Sequence, residues 1–326
     1  MRADNSAIAS DRVAARRGTA LAALGVAAFS FTFPATSWAL EGFGPWTATG
    51  LRCALAGLVA AAALKASGAR LPERRHVPGL LVVALGCVLA FPLLTSLALQ
   101  TTSTGNAAVI IGLLPLTTAV VSSLWSRSWP PGVFWAAAAV GAVAVAGFTA
   151  LRTGGAPGPG DLYLFAALVL CAAGYAAGGR LSAHMPGWQV IAWALVASLP
   201  VTAPLTAAGL ALEPFHLAPL PLAGMAYLAL VSQFGGFAAW YRGMALIGVA
   251  KASQLQLAQP LLTLVWAFLV LGEAFNPWAP LTALVVLGCI AVTQRSARRR
   301  AGPPARVPDT GEEEAQGAEA PSPGRP

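Results

Sequence analysis

Apolar stretches recur along this 326-residue chain, separated only by short polar or Pro/Gly-rich breaks. Each is close to the roughly 20 helical residues needed to cross a hydrocarbon core about 30 Å thick. They place spans near 18–40, 46–66, 78–98, 105–125, 131–151, 161–181, 188–212, 221–244, 252–272 and 278–294. The runs are rich in Ala, Leu and Val, lack period-two alternation and are too long for membrane strands. The expectation is an all-α integral membrane protein of ten transmembrane helices.

Composition agrees. Only 10% of residues are charged, against about 25% in a soluble domain, so lipid must solvate most of the surface. The mean hydropathy of +0.68 says the same. Cys53, Cys87, Cys171 and Cys289 each lie in a different apolar stretch without metal-ligand spacing and read as small core residues. A net charge of +8 raises the question of nucleic acid. The basic residues, however, sit between apolar runs and at the chain ends rather than in one patch, and no nucleic-acid motif accompanies them. Arg12, Arg16 and Arg17 before an apolar run resemble a signal peptide. The run from Gly18 to Leu40 is long enough to span, and similar runs follow, so it reads as the first span.

With the N-terminus inside, the 20 Lys and Arg sort by side. The inner segments take Arg2, Arg12, Arg16, Arg17, Lys65, Arg70, Arg74, Arg75, Arg127, Arg180, Arg242, Lys251, and the tail's Arg295, Arg298, Arg299, Arg300, Arg306 and Arg325. Only Arg52 and Arg152 are left over, and Glu41, Asp161, Glu213 and Glu273 fall outside. An even number of spans with both termini cytoplasmic obeys the positive-inside rule, which predicts a multi-pass protein of the cytoplasmic membrane. Residues 1–17 then form a cytoplasmic segment. The Pro-, Gly-, Glu- and Arg-rich stretch 295–326 is expected to be a disordered cytoplasmic tail.

The chain also repeats. A shift of 145 residues, the separation of Pro115 from Pro260, lays spans 1–5 over spans 6–10. Five is an odd number, so the second half must be inserted upside down: a 5+5 inverted-topology repeat of residues 18–151 and 161–294, an architecture that offers one site to two sides in turn. The weak points of the helices repeat as well. Pro34 falls on Gly179, beside Gly178; Pro92 falls one residue past Gly235 and Gly236; Pro115 falls on Pro260. Proline removes a helical donor, and in lipid such breaks persist only where neighbours or a wet cavity satisfy the freed groups. Matched breaks predict gating points along a substrate pathway; kinks that serve packing alone are the plainer reading.

Span 9 carries Ser253, Gln256, Gln259 and Thr263 at spacings that put them on one helix face. The equivalent face of span 4, Ala108, Ile111, Leu114 and Thr118, is mostly apolar. Facing each other across a cavity, the two would hold an amphiphilic small molecule. Interhelical hydrogen bonding is the other account of the glutamines. Phe29, Phe33 and Tyr175 are candidate cavity aromatics, whereas Trp240 and Tyr241 suit an interfacial belt. Arg52 lies roughly 9 Å inside span 2. It either snorkels outward, toward Glu41, or binds a substrate carboxylate. No carboxylate or His lies at mid-span, so Glu273, at the outer end of span 9, is the remaining candidate for ion coupling. His76, His184 and His216 fall in loops. Ala137, Gly141 and Gly288 are small enough to let spans 5 and 10 pack closely, internally or in a homodimer.

Two stretches resemble the third and fourth helices of an EamA domain. The first is Ala98-Leu-Gln-Thr-Thr-Ser-Thr-Gly-Asn106-Ala-Ala108 leading to Leu114-Pro115. The second is Ala245-Leu, then Gly248-Val-Ala-Lys-Ala-Ser253, leading to Gln259-Pro260 and Leu271-Gly-Glu273. Leu51-Arg52 and Gly160-Asp161-Leu162 add to the likeness. Together they resemble the paired EamA repeats of the drug/metabolite transporter superfamily. The resemblance implies alternating access around a cavity lined by spans 1, 3, 4, 6, 8 and 9, with Asn106 among the substrate contacts, and it leans toward export. One departure stands out: span 9 ends in Gly272-Glu273, but span 4 ends Trp125-Ser-Arg127.

The expected function is a secondary transporter, an exporter, of a small amphiphilic metabolite, amino acid or drug-like compound. It needs a lipid bilayer and a small-molecule substrate, and no nucleic acid, cofactor or metal. A non-transporting membrane scaffold or receptor is the competing reading. The chain has no HExxH, G-x-S-x-G or P-loop, so neither an intramembrane hydrolase nor a nucleotide-driven pump is indicated.

Overall fold

The computed structural model describes residues 2–127, 129–154, 156–247 and 255–301, and the regular structure among them is helical throughout. Eight helices are long and apolar enough to cross a membrane: α1 Val13–Leu40, α2 Pro45–Ala66, α3 Arg74–Ala98, α4 Thr104–Ser126, α5 Gly132–Leu151, α6 Pro159–Leu181, α7 Gly187–Leu212 and α8 Pro219–Ile247. Two shorter apolar helices follow, α9 Gln259–Leu271 and α10 Trp278–Val292. Helical backbone extends back from α1 to Arg2 and onward from α10 to Ala301, past the point where the tail was expected to begin. Ser253 and residues 302–326 lie outside the described residues.

The helix ends follow local chemistry. Pro45, Pro159 and Pro219 open α2, α6 and α8 at a position whose N–H has no helical partner in any case. Gly272 closes α9 with φ +64°, a left-handed cap that glycine adopts at little cost. Arg127 closes α4 in the same left-handed region, at φ 50°.

Helix pairing treats the two halves alike. α2 lies along α7, α5 along α10 and α4 against α9; α1 packs on α8 and α9, and α6 on α3 and α4. Exchanging each helix for its counterpart in the other half leaves the first three pairs unchanged. It turns α1–α8 into α6–α3, and α1–α9 into α6–α4. Gly141 of α5 sits within contact distance of Cys289 of α10, so this small-residue surface is used inside the chain, while Gly288 is exposed. Along α1 and α8, side chains at Gly18, Gly25 or Gly243 would collide with the opposite helix, so these glycines set the close approach. Trp240 is buried there against Ala22, Val26 and Phe29. This corrects its assignment to an interfacial belt: α8 offers that face to α1.

The predicted breaks take distinct forms. In α4 the helix gives way at Gly112–Leu113 and resumes at Leu114; before α9 it gives way at Leu257–Ala258 and resumes at Gln259. Pro115 and Pro260 are the second residues of the resumed helices. The interruption before α9 means that Gln256 and Gln259 do not share one continuous helix face as the spacing implied. Near Pro92, α3 is wound as a π-helix over Ala84–Ala90, and α8 is likewise over Tyr227–Gly235, with regular helix resuming at Phe91 and Gly236. Here, too, the resumption points are one repeat length apart. In α1 the break falls at Phe31 rather than at Pro34. Its expected counterpart is missing: Gly178 and Gly179 lie in α6, which runs unbroken from Pro159 to Leu181. Glycine weakens a helix but keeps its N–H, so the hydrogen-bond ladder through α6 stays complete.

Candidate functional site

The freed backbone groups of these breaks lead to the centre of the molecule. Pro34 has no N–H for the Ser30 carbonyl, and the Thr263 hydroxyl of α9 donates to that oxygen at 2.8 Å. The Tyr227 hydroxyl of α8 donates to the Ala28 carbonyl at 2.9 Å. Pro92 withdraws a donor from Val88 in α-helical register or from Cys87 in π register. Cys53 of α2 donates to the Val88 carbonyl (3.0 Å), and Gln233 Nε2 of α8 to the Cys87 carbonyl (3.5 Å). The breaks in α1 and α3 are thus sealed by other helices, as a low-dielectric surround requires.

Beside Cys53, Arg52 points inward. It is 3% exposed, and its Nη2 donates to Gln233 Oε1 at 2.9 Å. The snorkelling contact toward Glu41 is therefore not formed; α2 turns this face to the π segment of α8. Nε of Arg52 has no hydrogen-bond partner, and no carboxylate pairs with the guanidinium among the described residues.

Arg52 borders a central void of about 50 Å3, together with Phe33, Phe91, Tyr175, Gln233 and Gln259. Phe29 and Thr32 of α1, and Ser232 of α8, complete its polar and aromatic wall, and the Thr32 and Ser232 hydroxyls are 2.8 Å apart. A second void of about 30 Å3 lies alongside. Ala108, Ile111 and Leu114 form one of its walls, and Gln256, Gln259 and Thr263 another, with Pro115 and Pro260 at the breaks. Phe33, Ile111, Leu114 and Gln259 border both voids and so form the partition between them. A water needs about 10–15 Å3 of such space, whereas ligand pockets run to several hundred. The two voids as they stand have room for only a few waters, so a larger solute must displace the partition.

Five of the candidate cavity residues named from sequence, Phe29, Phe33, Arg52, Tyr175 and Gln259, come together in the central void, and Gln256 and Thr263 stand next to it. Asn106 does not join them. It is buried between α4 and α6, donating from Nδ2 to Asp161 Oδ1 (2.7 Å) and Thr102 Oγ1 (2.8 Å). Gln233 went unnoticed in the sequence, although a lone amide in an apolar span is itself a signal of an inward-facing group.

The two ends of the bundle differ in charge. At one end, Glu273 accepts from the backbone N–H groups of Thr104 and Gly105 at 2.6 and 2.9 Å, holding the loop after α9 to the start of α4. Glu213 does the same for α2, accepting from the N–H of Thr47 and its hydroxyl, both at 2.7 Å. Carboxylates at helix N-termini complement the macrodipole. At the opposite ends of α4 and α6, Arg180 stacks over Trp125 at 3.8 Å, and His76 and His184 stack at 5.1 Å. A wider crevice of about 400 Å3 opens between α4, α5, α9 and α10 near Glu273. The exposed Val265, Phe268 and Phe275 line it, which suits lipid chains better than a polar solute. Among the described residues no cluster of His, Cys, Asp and Glu is suited to a metal ion.

Comparison with known proteins places this geometry. The EamA-like transporter family matches residues 16–150 and again 158–294. The chain belongs to that family. A relative from Bacillus subtilis (strain 168), named "Uncharacterized transporter YdeK", is 42% identical over 284 residues, covering 84% of this chain and 96% of its own. Another, from Streptantibioticus cattleyicolor, is named "Probable terminal-alkyne amino-acid exporter"; it is 27% identical, with 85% and 93% covered. A solved crystal structure, 22% identical, shares the fold at a TM-score of 0.60 over 87% of this chain and 98% of that one. This is therefore a multi-pass membrane transporter of the drug/metabolite type, with two EamA domains.

Proposed function

We propose that this EamA-family protein is a secondary carrier that exports a small amphiphilic metabolite, amino acid or drug-like compound by alternating access. The observation that carries the reading is the small void at the meeting of the broken helices, bounded by side chains from both halves. Ten spans arranged as an inverted 5+5 repeat account for three features together: helix pairs that survive exchange of the halves, helix resumptions one repeat length apart, and matched π segments. Rocking one half against the other would open the void first to one side and then to the other. The amide groups of Gln233, Gln256 and Gln259 then hold the polar part of the solute, and Phe33, Tyr175 and Ile111 its apolar part.

Both termini are cytoplasmic in this reading. The carboxylate-capped end with Glu213 and Glu273 faces outward, and the end with Arg75, Arg180 and His184 faces the cytoplasm, as the positive-inside bias requires. Glu273 has both oxygens on backbone donors, so its first role is to hold the outer end shut; ion coupling would require it to let go. The export direction draws support from the Streptantibioticus relative named as an amino-acid exporter. Untargeted comparison of metabolites inside and outside cells with and without the chain tests the function. A compound that accumulates inside when the chain is absent is the expected result, and unchanged distributions across the metabolome would count against export.

A further inference from the structure

A buried cation with an unpaired donor, beside a void that no carboxylate lines among the described residues, asks for an anion. We infer that Arg52 is the specificity-determining residue of the central site, and that the carried compound bears a carboxylate on an apolar or aromatic body, with no requirement for an amino group. This deepens the carrier reading and rests on it.

A guanidinium has five N–H donors in a planar fork that fits a carboxylate with two parallel bonds. Among the described residues, that of Arg52 makes one hydrogen bond, to the uncharged Gln233 Oε1, and leaves Nε unpaired. An amide oxygen directs the fork but cannot neutralise it. An unpaired buried charge is among the most destabilising features a core can hold, and nearly complete burial denies Arg52 bulk water. Gln233 is itself fixed, because its Nε2 donates to the Cys87 carbonyl beside the Pro92 break. The helix break, the amide and the guanidinium are thus linked in a chain that ends beside the void.

The rest of the lining agrees. Phe33, Phe91 and Tyr175 give an aromatic surface next to the charge, and no acidic side chain faces the void among the described residues. An ammonium group would find no counter-charge there and would meet Arg52 as a like charge. The cavity therefore disfavours organic cations, tolerates an amino acid through its carboxylate, and accepts an acid that lacks an amine. The position equivalent to Arg52 in the other half is Ala197, so the two halves do not share this device.

The test uses the full chain in lipid nanodiscs with probes of one shape: 3-phenylpropanoate, L-phenylalanine, 3-phenylpropanamide and phenethylammonium, plus straight-chain monocarboxylates from acetate to octanoate. Binding is read by calorimetry and by the thermal shift of the protein. Carboxylates are expected to bind better than the amide and the amine. Arg52→Gln should weaken carboxylate binding by about tenfold to a hundredfold, the worth of a charge-assisted hydrogen bond, and abolish the preference over the amide. Arg52→Lys keeps the charge without the fork, so it should retain the preference at lower affinity; it also serves as the readout if Arg52→Gln does not fold. Amide or amine binding as tight as carboxylate in the unaltered chain would overturn the inference. So would unchanged carboxylate affinity in Arg52→Gln, or no binding by any carboxylate at millimolar concentration. Proteoliposome flux separates this from the carrier reading. Carboxylates that bind through Arg52 but never cross refute transport and leave the site standing. Flux of the amine or amide that ignores Arg52 keeps transport and refutes the site.

Discussion

The Thr263 hydroxyl donates at 2.8 Å to the Ser30 carbonyl, the one oxygen of α1 that Pro34 leaves without a helical donor. A residue of the second half thereby completes the backbone of a broken helix in the first. Thr263 also donates to its own Gln259 carbonyl at 3.0 Å, so its hydroxyl is shared between α1 and α9. Thr263→Val keeps the shape and removes the donor. The Ser30 carbonyl is then buried without a partner, at a cost of about 1–3 kcal/mol. The melting temperature in detergent should fall for Thr263→Val and stay near the original for Thr263→Ser. Equal melting temperatures for the two variants would show that the break is held by something else.

Arg127 and Gly272 close α4 and α9 in the same left-handed conformation, one repeat length apart. For a residue with a Cβ, that conformation costs about 1–2 kcal/mol. Arg127→Gly removes the cost, so thermal stability should rise by roughly 1 kcal/mol. The comparison needs Arg127→Ala as a control, which deletes the charge but keeps the Cβ and should not be stabilised.

How much of this was legible in the sequence depends on what each feature needs. Eight of the ten expected spans were readable because bilayer thickness sets their length, and Pro115 and Pro260 because a missing N–H is written into the covalent chain. The break in α1 was displaced to Phe31, since the group orphaned by Pro34 is the carbonyl four residues earlier. Gly178 and Gly179 misled because glycine weakens a helix without removing a bond. Pro200 and Pro204 lie within the continuous helix of α7, so proline alone does not decide a break either. The π winding near Pro92 and Gly235 has no side-chain signature among Ala, Leu and Val. The direction of Arg52 was equally hidden: depth along a helix leaves its rotation open, and that rotation is set by the packing of α2 on α7 and α8. Asn106 could be read as an important polar residue, but its partner Asp161 lies 55 positions away on α6.

Glu273 has both carboxylate oxygens on backbone donors at the start of α4. Glu273→Gln replaces one acceptor by an amide NH2 that faces an N–H. The expected loss is about 1–2 kcal/mol, from one missing hydrogen bond and a weakened interaction with the helix dipole. It would appear as a lower melting temperature and faster cysteine labelling at position 104 in a Thr104→Cys background. Transport whose pH dependence disappears in Glu273→Gln, with stability unchanged, would instead assign this carboxylate to ion coupling.

Gln256 and Gln259 line the smaller void together with Ala108, Ile111 and Leu114. If the carrier reading holds, these amides are the groups that a solute entering the void would meet. Replacing both with Leu keeps the volume similar and turns the wall apolar. A polar group entering from water would then lose its hydrogen bonds, about 1–3 kcal/mol for each, or roughly tenfold to a hundredfold in affinity per amide. Flux in proteoliposomes should fall to background while the melting temperature stays within a degree or two of the original, on the scale of a surface change. Gln259 also stands in the partition between the two voids, so Gln259→Leu alone should impair flux more than Gln256→Leu alone. Undiminished flux in the double variant would move the substrate site away from α9. A double variant that no longer folds would make the two glutamines interhelical ties rather than solute contacts.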